Sequence, residues 1–358
     1  MVLRRVTRGS GVAHFAEVTA TRPVAVTDDP DDLVQGFWAV VMTFEGQFTA
    51  IRFAEVRRAG SPRDVLGNWA PREAHGTGDW PPLEGGWSSS LDHTAYLAGV
   101  STIRELIAQG TVYQVNLCRI LSHRLEDTAD LGLLATRLAR GNPAPYAGSI
   151  DVPQLGVCVV SASPEGFLER EGERLVSRPI KGTSTTAEHL LPKDYAENVM
   201  IVDLVRHDLA AVCRPGTIAV DALCRIEEHP GLVHLVSDVS GRLRAGVRWS
   251  DILAATFPPG SVSGAPKHTA LMAIAELESA PRGPYCGAIG WIDADRDRAR
   301  LAVGIRSFWT DRDNNGQRWL RFGTGAGITW GSDAASEWDE TELKARRLIG
   351  LASGRLEP

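Results

Sequence analysis

Segments with the composition of β-strands follow one another along most of this chain, with only a few helical segments between them. Runs rich in β-branched and aromatic residues predict strands near residues 156–162, 166–177, 216–227, 285–294, 299–310 and 318–324. Apolar residues at helical spacing predict helices at about 129–140, 192–212, 265–279 and 334–352. Strand and helix do not alternate regularly, as they do in a parallel sheet. The pattern therefore predicts an α+β fold with helices packed outside antiparallel sheets.

The first part of the chain has a different organisation from the rest. Residues 1–70 contain short β-favouring runs such as "FWAVVMTF", whereas residues 71–90 are dense in Pro, Gly and Ser and predict a linker or long surface loop. A helical stripe with Leu97, Val100, Ile103 and Ile107 follows and ends at Gly110. The sequence thus predicts a short β-rich region with a linker over 1–88 and a main domain over 89–358.

The charge balance and the cysteines limit the function classes. A net charge of -6 and a pI near 5.9 argue against a nucleic-acid or anionic-membrane partner. The five cysteines are scattered and form no C-x-x-C pair, which favours a reduced, cytoplasmic protein. No continuous apolar signal-peptide core and no run of membrane-spanning length is found. We therefore expect a cytoplasmic protein, and small, mobile substrates remain open.

Two glycine-containing motifs resemble a dinucleotide-binding loop and a serine-hydrolase elbow but lack a required feature of each. "FGTGAGI" at 322–328 has the spacing G-x-G-x-G, but no helix follows it where a dinucleotide fingerprint needs one. Its backbone N–H groups could still receive a carboxylate. In "GSVSGAP" at 260–266 the central position of a nucleophile elbow is Val262, so this segment does not predict a serine hydrolase.

Pairs of acidic residues three positions apart occur on two predicted helices. Asp194 and Glu197 share one face of the first, and Glu337 and Glu340 share one face of the second, with Lys344 four residues further on. Such pairs are often solvated surface groups. If the two helices face each other, the same carboxylates could hold a hard divalent cation.

Two further residues stand in turns between apolar segments. Glu165 in "SASPEGFL" follows a predicted strand, at a position that often presents a catalytic side chain and often presents none. Lys181 lies in "SRPIKGT", where Pro179 and Gly182 predict an ordered loop. A solvated lysine needs no explanation, but a buried one would lose its proton more readily and could act as a nucleophile.

Taken together, these segments resemble the chorismate-utilising enzymes, the family of anthranilate, aminodeoxychorismate, isochorismate and salicylate synthases. The resemblance runs from about Tyr96 to Ala345, with all blocks in the family's order. The blocks are "GTVYQVNL", "SASPEGFL", "SRPIKGT", "AENVMIVDLVRHDL", "HPGLVHLVS", "FPPGSVSGAPK", "RGPYCGAIGW", "LAVGIRSF", "FGTGAGI" and "EWDETELKA". The resemblance implies antiparallel sheets packed as a layered sandwich with outer helices, and a chorismate-binding catalytic domain over 89–358.

Lys181 selects a subclass within this family. Anthranilate and isochorismate synthases typically have a small residue there, whereas "PIKGT" resembles aminodeoxychorismate synthase component I. That resemblance implies attack of the lysine on ring carbon two of chorismate with loss of the hydroxyl at carbon four, after which ammonia displaces the lysine. Glu165 matches the family's general acid and needs a raised pKa, whereas Lys181 needs a lowered one.

The resemblance also assigns the remaining site residues. Glu197 and Glu340 match direct Mg²⁺ ligands, and Asp194 and Glu337 match ligands that act through water. His234 matches a histidine beside the ring, and Gln114 stands where isochorismate and salicylate synthases resemble one another in having a lysine that acts as a base on water. The other matching substrate contacts are Gly182, Thr183, Ser261, Tyr285, Arg306, Gly325, Ala326, Gly327 and Lys344.

The resemblance finally implies partners and leaves two alternatives. Ammonia would come from a separate glutamine amidotransferase subunit, and 4-amino-4-deoxychorismate would lead to 4-aminobenzoate, for folate or a related secondary metabolite. No "LLES"-like segment is found, so feedback inhibition by tryptophan is not expected. The alternatives are anthranilate synthase component I, which adds ammonia at carbon two with loss of pyruvate, and a non-catalytic sensor that binds chorismate without converting it.

Overall fold

A computed structural model describes residues 4–6, 10–58, 79–184, 186–229 and 232–357 of the 358-residue chain. In these ranges it has six α-helices. They are α1 (His93–Ala108), α2 (Leu131–Gly141), α3 (Pro192–Ala210), α4 (Trp249–Thr256), α5 (Lys267–Leu277) and α6 (Ala334–Ala352). None of the helices in the described ranges is long and apolar enough to span a membrane.

Nineteen β-strands accompany these helices in the same ranges. The first nine are β1 (Arg4–Arg5), β2 (Val12–Phe15), β3 (Val18–Thr27), β4 (Phe37–Met42), β5 (Phe48–Arg58), β6 (Ser88–Ser89), β7 (Gln114–Arg124), β8 (Tyr146–Val152) and β9 (Val157–Ser163). The others are β10 (Gly166–Glu171), β11 (Arg174–Arg178), β12 (Ile180–Ser184), β13 (Ala219–His229), β14 (Leu232–Arg242), β15 (Gly264–Ala265), β16 (Ala288–Asp293), β17 (Arg298–Val303), β18 (Ser307–Arg312) and β19 (Arg318–Ile328).

The described strands pair in antiparallel fashion and form one continuous path of neighbours. The path runs β7–β19–β18–β9–β8–β2–β3–β5–β4–β16–β17–β10–β11–β14–β13, and β12 also pairs with β14. Long antiparallel sheets twist and fold over to bury their apolar faces. The largest buried cluster contains Ile120 and Val159 from one end of the path and Leu301 and Val239 from the other, so the two halves form layers of one sandwich.

The helices cover the outside of this sandwich, as the sequence predicts. Helices α2 and α6 pack on β8, β9 and β19 around a second buried cluster, and α1 and α5 pack on β7 around a third. Helix α3 lies on β12, β13 and β14. The predicted α+β class, with layered antiparallel sheets and outer helices, is confirmed.

Several local features differ from the sequence prediction, and strands β8 and β14 are not among the predicted strands. The strand predicted at 166–177 is the hairpin β10–β11, which turns at Gly172 with a φ of +58°, a value that favours glycine. The strand predicted at 299–310 is divided into β17 and β18, because the chain leaves the extended conformation at Arg306, where φ is +52°. Helix α4 was not predicted, since its eight residues are too few for a clear apolar period.

The N-terminal region shares its sheet with the rest of the chain. Strand β4 pairs with β16 along its whole length, and β2 pairs with β8. Residues 71–78 of the predicted linker lie outside the described residues. The part that is described contains Trp80, which is buried and donates a hydrogen bond to the carbonyl of Ala352 at 2.7 Å. The domain boundary at residue 88 stays a prediction.

Candidate active site

The segment around Lys181 forms a short strand where the sequence predicts a loop. Strand β12 pairs with β14, with Lys181 opposite Leu235 and Thr183 opposite His234, and the register shifts between these two pairs. Gly182 at this irregular point has a φ of +77°, and a Cβ added there would lie 2.8 Å from the Cβ of Asp194. Only glycine therefore lets β12 approach α3 so closely. The side chain of Thr183 lies outside the described part of the structure.

The Lys181 side chain is partly buried among charged groups of both signs. Burial lowers the pKa of its ammonium group, because the charged form is costly away from water. Glu197 and Glu165 raise this pKa, and Lys344 lowers it, so the net shift is downward. This is the direction that a nucleophilic amine requires.

Glu165 lies in the turn between β9 and β10, and only 3% of the residue is exposed. One carboxyl oxygen lies 3.5 Å from the backbone nitrogen of Ile180, the residue before Lys181. Burial raises the pKa of Glu165 to about 7, although a hydrogen bond from Ser261 and the charge of Lys181 both act to lower it. The carboxyl group can therefore hold a proton near neutral pH, as a general acid must.

The two acidic pairs come from helices whose charges act on one another. Burial raises the pKa of Glu197, Lys181 lowers it, and Asp194 and Glu340 raise it. Glu340 belongs to α6, whereas Glu197 and Asp194 belong to α3, so the acidic faces of the two helices are directed toward one region. Burial also raises the pKa of Glu337, and Glu340 adds to that effect.

Lys344 forms the electrostatic link between α6 and the neighbouring strand. Its Nζ lies 2.6 Å from a carboxylate oxygen of Glu340 and donates to the carbonyl of Gly325 at 3.0 Å. Burial acts to raise the pKa of Glu340, but Lys344, Lys193 and Lys181 together lower it, so this carboxylate stays ionised to lower pH than usual. Clustered carboxylate oxygens are the donors that a hard divalent cation prefers. In the described ranges, no three acidic, His or Cys side chains gather closely enough to hold a metal by themselves.

The paired ends of β7 and β19 place Gln114 beside the glycine-rich segment. Gln114 is fully buried, and neither its amide nitrogen nor its amide oxygen has a hydrogen-bond partner among the described residues. A Cβ added at Gly327 would lie 2.4 Å from that nitrogen, and one added at Gly325 would lie 2.6 Å from the sulfur of Cys118. Ala326 between them is buried. A buried amide without partners is costly unless a ligand binds it.

Tyr285 and Arg306 lie next to these elements. The ring of Tyr285 covers Gly323 so closely that an added Cβ would lie 2.0 Å from it. The Arg306 carbonyl accepts a hydrogen bond from Ala162, three residues before Glu165. Burial lowers the pKa of the Arg306 guanidinium, and no described carboxylate lies within ion-pair distance of it. An unpaired guanidinium at this position is suited to bind an anionic group.

His234 and Ser261 complete the set of predicted side chains. His234 is 1% exposed on β14, one step along the strand from the Lys181–Leu235 pair. Ser261 lies in the single helical turn Gly260–Val262, and a Cβ at Gly260 would lie 2.4 Å from a methyl group of Leu204 on α3. Some of the predicted residues thus act on one another electrostatically, and others lie on neighbouring paired strands. Their roles in binding and catalysis stay predictions.

The buried ion pair of Arg282 and Glu278 is not predicted by the sequence. Both side chains are nearly inaccessible, and Arg282 donates to Glu278 at 2.6 and 2.8 Å. The spacing of four residues and the position of Arg282 three residues before Tyr285 were the signals available in the sequence. Carbonyl groups that are distant in sequence also bind this arginine, and no local pattern indicates them.

The chain thus combines a layered antiparallel sandwich with a cluster of buried or half-buried Lys, Glu and Arg side chains. The model of the chorismate binding enzyme family matches residues 45–350. The chain therefore belongs to that family.

Curated relatives are similar to the chain over most of its length. The anthranilate synthase component 1 of Aquifex aeolicus is 37% identical over 276 residues, or 74% of this chain and 54% of the relative. The anthranilate synthase component 1 of Thermus thermophilus is 37% identical over 298 residues, or 78% of this chain and 62% of the relative. The chain thus spans somewhat more than half the length of these relatives.

Solved structures agree in fold. A 2,3-dihydroxybenzoate-specific isochorismate synthase of Bacillus anthracis is similar with a TM-score of 0.77 and 22% identity, over 97% of this chain and 96% of that one. Anthranilate synthase component I of Streptococcus pneumoniae is similar with a TM-score of 0.74 and 22% identity, over 97% and 91% of the two chains. At these identities the likeness supports the fold alone.

Proposed function

We propose that this chain is the chorismate-aminating component I of an aminodeoxychorismate synthase. The observation that carries this proposal is the partly buried Lys181, whose pKa is lowered by burial and whose neighbour is a protonatable Glu165. A nucleophilic amine and a general acid side by side suit a two-step substitution with a covalent intermediate. An exposed lysine in the same sequence would not support this mechanism.

In the first step, the neutral amine of Lys181 forms a bond to ring carbon two of chorismate. The double bond shifts, the bond from carbon four to its hydroxyl oxygen breaks, and Glu165 donates the proton with which the oxygen leaves as water. In the second step, ammonia bonds to carbon four and the bond from carbon two to Lys181 breaks. The ammonium nitrogen formed at carbon four returns a proton to Glu165, so the enzyme ends as it began.

The proposed cofactor is Mg²⁺, with Glu197 and Glu340 as direct ligands and Asp194 and Glu337 acting through water. When bound, it would supply positive charge for the ring carboxylate of the substrate. The residues fit such an ion, since Mg²⁺ usually takes one or two protein carboxylates and completes its shell with water and substrate oxygens. The raised pKa of Glu197, caused by burial and by Asp194 and Glu340 nearby, reflects negative charge that a cation would balance.

The substrate would be oriented by groups around this centre. We assign the enolpyruvyl carboxylate to Arg306 and Tyr285, with assistance from the backbone N–H groups of the segment 325–327, because Arg306 has no acidic partner in the described ranges. Gly182 and Thr183 are assigned to the ring carboxylate. The remaining proposed contacts are His234 beside the ring, with Ser261, Lys344 and Gln114 around it.

The second candidate is anthranilate synthase component I. It is favoured by the names of the curated relatives described above, which are 37% identical to this chain. In that reaction ammonia enters at carbon two, pyruvate is lost, and Lys181 takes no covalent part. We prefer the first candidate because it gives a chemical reason for a lysine at this point of the site.

The proposed partner is a glutamine amidotransferase subunit that delivers ammonia. The relatives are named as component 1 of their enzymes, which implies a second component for them. By analogy we propose a heteromeric complex that makes 4-amino-4-deoxychorismate for 4-aminobenzoate, and thereby for folate or a secondary metabolite. The described cysteines are free, which suits the cytoplasmic location that we also propose.

Product analysis tests this proposal. The protein is incubated with chorismate, Mg²⁺ and an ammonium salt, with and without an added aminodeoxychorismate lyase. We expect 4-aminobenzoate only when the lyase is present. Fluorescent anthranilate formed without the lyase would establish the second candidate, and binding of chorismate without any product would establish a sensor.

A lysine variant tests the covalent step. In Lys181→Ala we expect chorismate binding within a few-fold of wild type and loss of 4-amino-4-deoxychorismate formation. Mass spectrometry of wild-type protein quenched with chorismate and no ammonia should find an adduct on the peptide that contains Lys181. Lys193→Ala, which removes a nearby exposed lysine of α3, is the matched control and should keep the adduct.

A further inference from the structure

Arg282 is almost completely buried between three segments of the candidate active site, with 1% of the residue exposed. Its Nε and Nη2 donate to the two carboxylate oxygens of Glu278 at 2.8 and 2.6 Å. Its Nη1 also donates to the Val262 carbonyl at 2.8 Å, and Nη2 donates to the Asn116 carbonyl at 2.8 Å. The guanidinium lies 4.1 Å from the ring centre of Phe44. One side chain thus holds α5, β7 and the turn at 260–262 together.

Glu278 and Asn116 extend this network. Glu278 accepts a hydrogen bond from the backbone N–H of Cys118 at 2.9 Å, which fixes β7 a second time. The Asn116 side chain donates to the Ser261 carbonyl at 3.3 Å, and its backbone N–H donates to the Ser263 carbonyl at 2.9 Å. Ser261 lies in the turn at 260–262. Arg282 binds this turn directly at the Val262 carbonyl and indirectly through Asn116.

The Ser261 hydroxyl contacts the reacting part of the site. Ser261 and Glu165 line the same small cavity, and the Ser261 hydroxyl acts as a donor that lowers the pKa of the Glu165 carboxyl group, 3.5 Å from which lies the Ile180 backbone nitrogen. Among the described residues, Lys181 on β12 is the charged group that acts on Glu165. The orientation of Ser261 thus decides whether the ionised form of Glu165 keeps one of its hydrogen bonds.

We infer that Arg282, paired with Glu278, is a positioning residue that orients Ser261 toward the Glu165 carboxyl group. The inference rests on the proposed function, in which Glu165 is the general acid. The planar guanidinium suits this task because it directs several N–H groups at fixed angles, which the single ammonium of a lysine cannot do. Arg282→Lys therefore keeps the charge opposite Glu278 and loses the bonds to Val262 and Asn116.

The direction of a pKa change separates this role from general stabilisation. If Arg282 only held the fold together, its loss would admit water, and the pKa of Glu165 would fall because burial is what raises it. If Arg282 orients Ser261, its loss removes a hydrogen bond to the ionised carboxylate, and the pKa of Glu165 rises. The two roles predict opposite signs.

The experiment is an infrared titration of the carboxyl stretch in the free, full-length protein. Glu165→Gln identifies the band of Glu165 by its disappearance. We expect Ser261→Ala to raise the pKa of Glu165 by about one pH unit, the size of one hydrogen bond to a charged group. Arg282→Lys should raise it by at least about half as much, and the double variant should match Ser261→Ala alone, because both changes remove the same bond.

The control is Arg58→Lys. Arg58 pairs with the buried Asp293 at the end of β16 opposite to Tyr285, and its replacement should leave the Glu165 band unchanged. If Arg282→Lys does not fold, Glu278→Gln serves in its place, because it weakens the carboxylate half of the same pair. A fall in the pKa of Glu165, or an additive effect in the double variant, would overturn the inference.

Turnover gives a second readout. With chorismate and ammonium, Arg282→Lys should lower kcat about tenfold and leave KM within about twofold, because general-acid orientation matters in the transition state more than in binding. A rise in KM with unchanged kcat would contradict the positioning role. If wild-type protein forms no product at all, the proposed function fails, while the infrared titration still decides the role of Arg282.

Discussion

Glu165→Gln should make the protein more stable at alkaline pH while it abolishes turnover. The wild-type carboxyl is buried, and its pKa rises from the ordinary 4.5 to about 7. The folded protein therefore binds this proton more tightly than the unfolded chain does. Stability contributed by the protonated form is fully present below pH 4.5 and is lost as pH rises through about 7. Glutamine carries no titrating proton, so the variant lacks this loss.

The magnitude follows from the size of the shift. Each pKa unit corresponds to about 1.4 kcal/mol, so the full effect is about 3.5 kcal/mol. About 2.5 kcal/mol of it falls between about pH 5 and pH 8, the range in which unfolding is convenient to measure. The stability of Glu165→Gln relative to wild type should rise by that amount across this range.

The assay is urea unfolding of both proteins at several pH values between these limits. Glu171→Gln is the control, because that carboxylate lies six residues further along and is largely exposed, and its curve should run parallel to wild type. A difference between Glu165→Gln and wild type that stays constant within about 0.5 kcal/mol across the range would refute the reasoning. Turnover should fall at least about a hundredfold in the variant, since glutamine cannot donate the proton.

Three other substitutions test the ends of β7, β17 and β19. Gln114→Leu should stabilise the protein by about 1 kcal/mol in urea unfolding, because it removes a buried amide without partners, and should abolish product formation. Gly327→Ala should lower kcat/KM at least about tenfold with a change in unfolding free energy below about 1 kcal/mol, because the atom nearest to the new Cβ, 2.4 Å away, is at the movable end of the Gln114 side chain. Arg306→Lys should raise KM for chorismate about tenfold or more without changing stability, because it keeps the charge and loses the planar fork.

The sequence predicts most of the helices well, but it predicts neither the 11-residue strand β14 nor the tight turns. Helix α6 spans 334–352 as predicted, since its apolar period is regular and Asp333 caps its start by accepting from Ser336. One predicted strand contains a reversal at Gly172 and another contains a break at Arg306, and neither is indicated by composition. At Gly172 the reversal fits a glycine, but at Arg306 a left-handed φ occurs in a residue type that rarely adopts it.

In the candidate site, too, some residues could be predicted from the sequence and others could not. Glu165 and Lys181 belong to contiguous blocks that resemble the family, and that resemblance predicts their roles, which stay predictions. The groups that hold them in place could not be predicted, because Arg282 binds carbonyl groups 20 and 166 residues away along the chain. Every residue has a backbone carbonyl, so the type of amino acid at the accepting position does not indicate such a hydrogen bond.

The mutual electrostatic effect of Lys181 and Glu165 links the fold to the proposed chemistry. Burial disfavours the charged form of each group, whereas their mutual attraction favours having both charged. The ion pair and the neutral pair hold the same number of protons, so a change of pH does not convert one into the other. Only a change in the surroundings of the pair can do so, such as the removal of water when a substrate enters. The proposed mechanism therefore requires chorismate binding itself to shift the pair toward the neutral amine and the protonated acid.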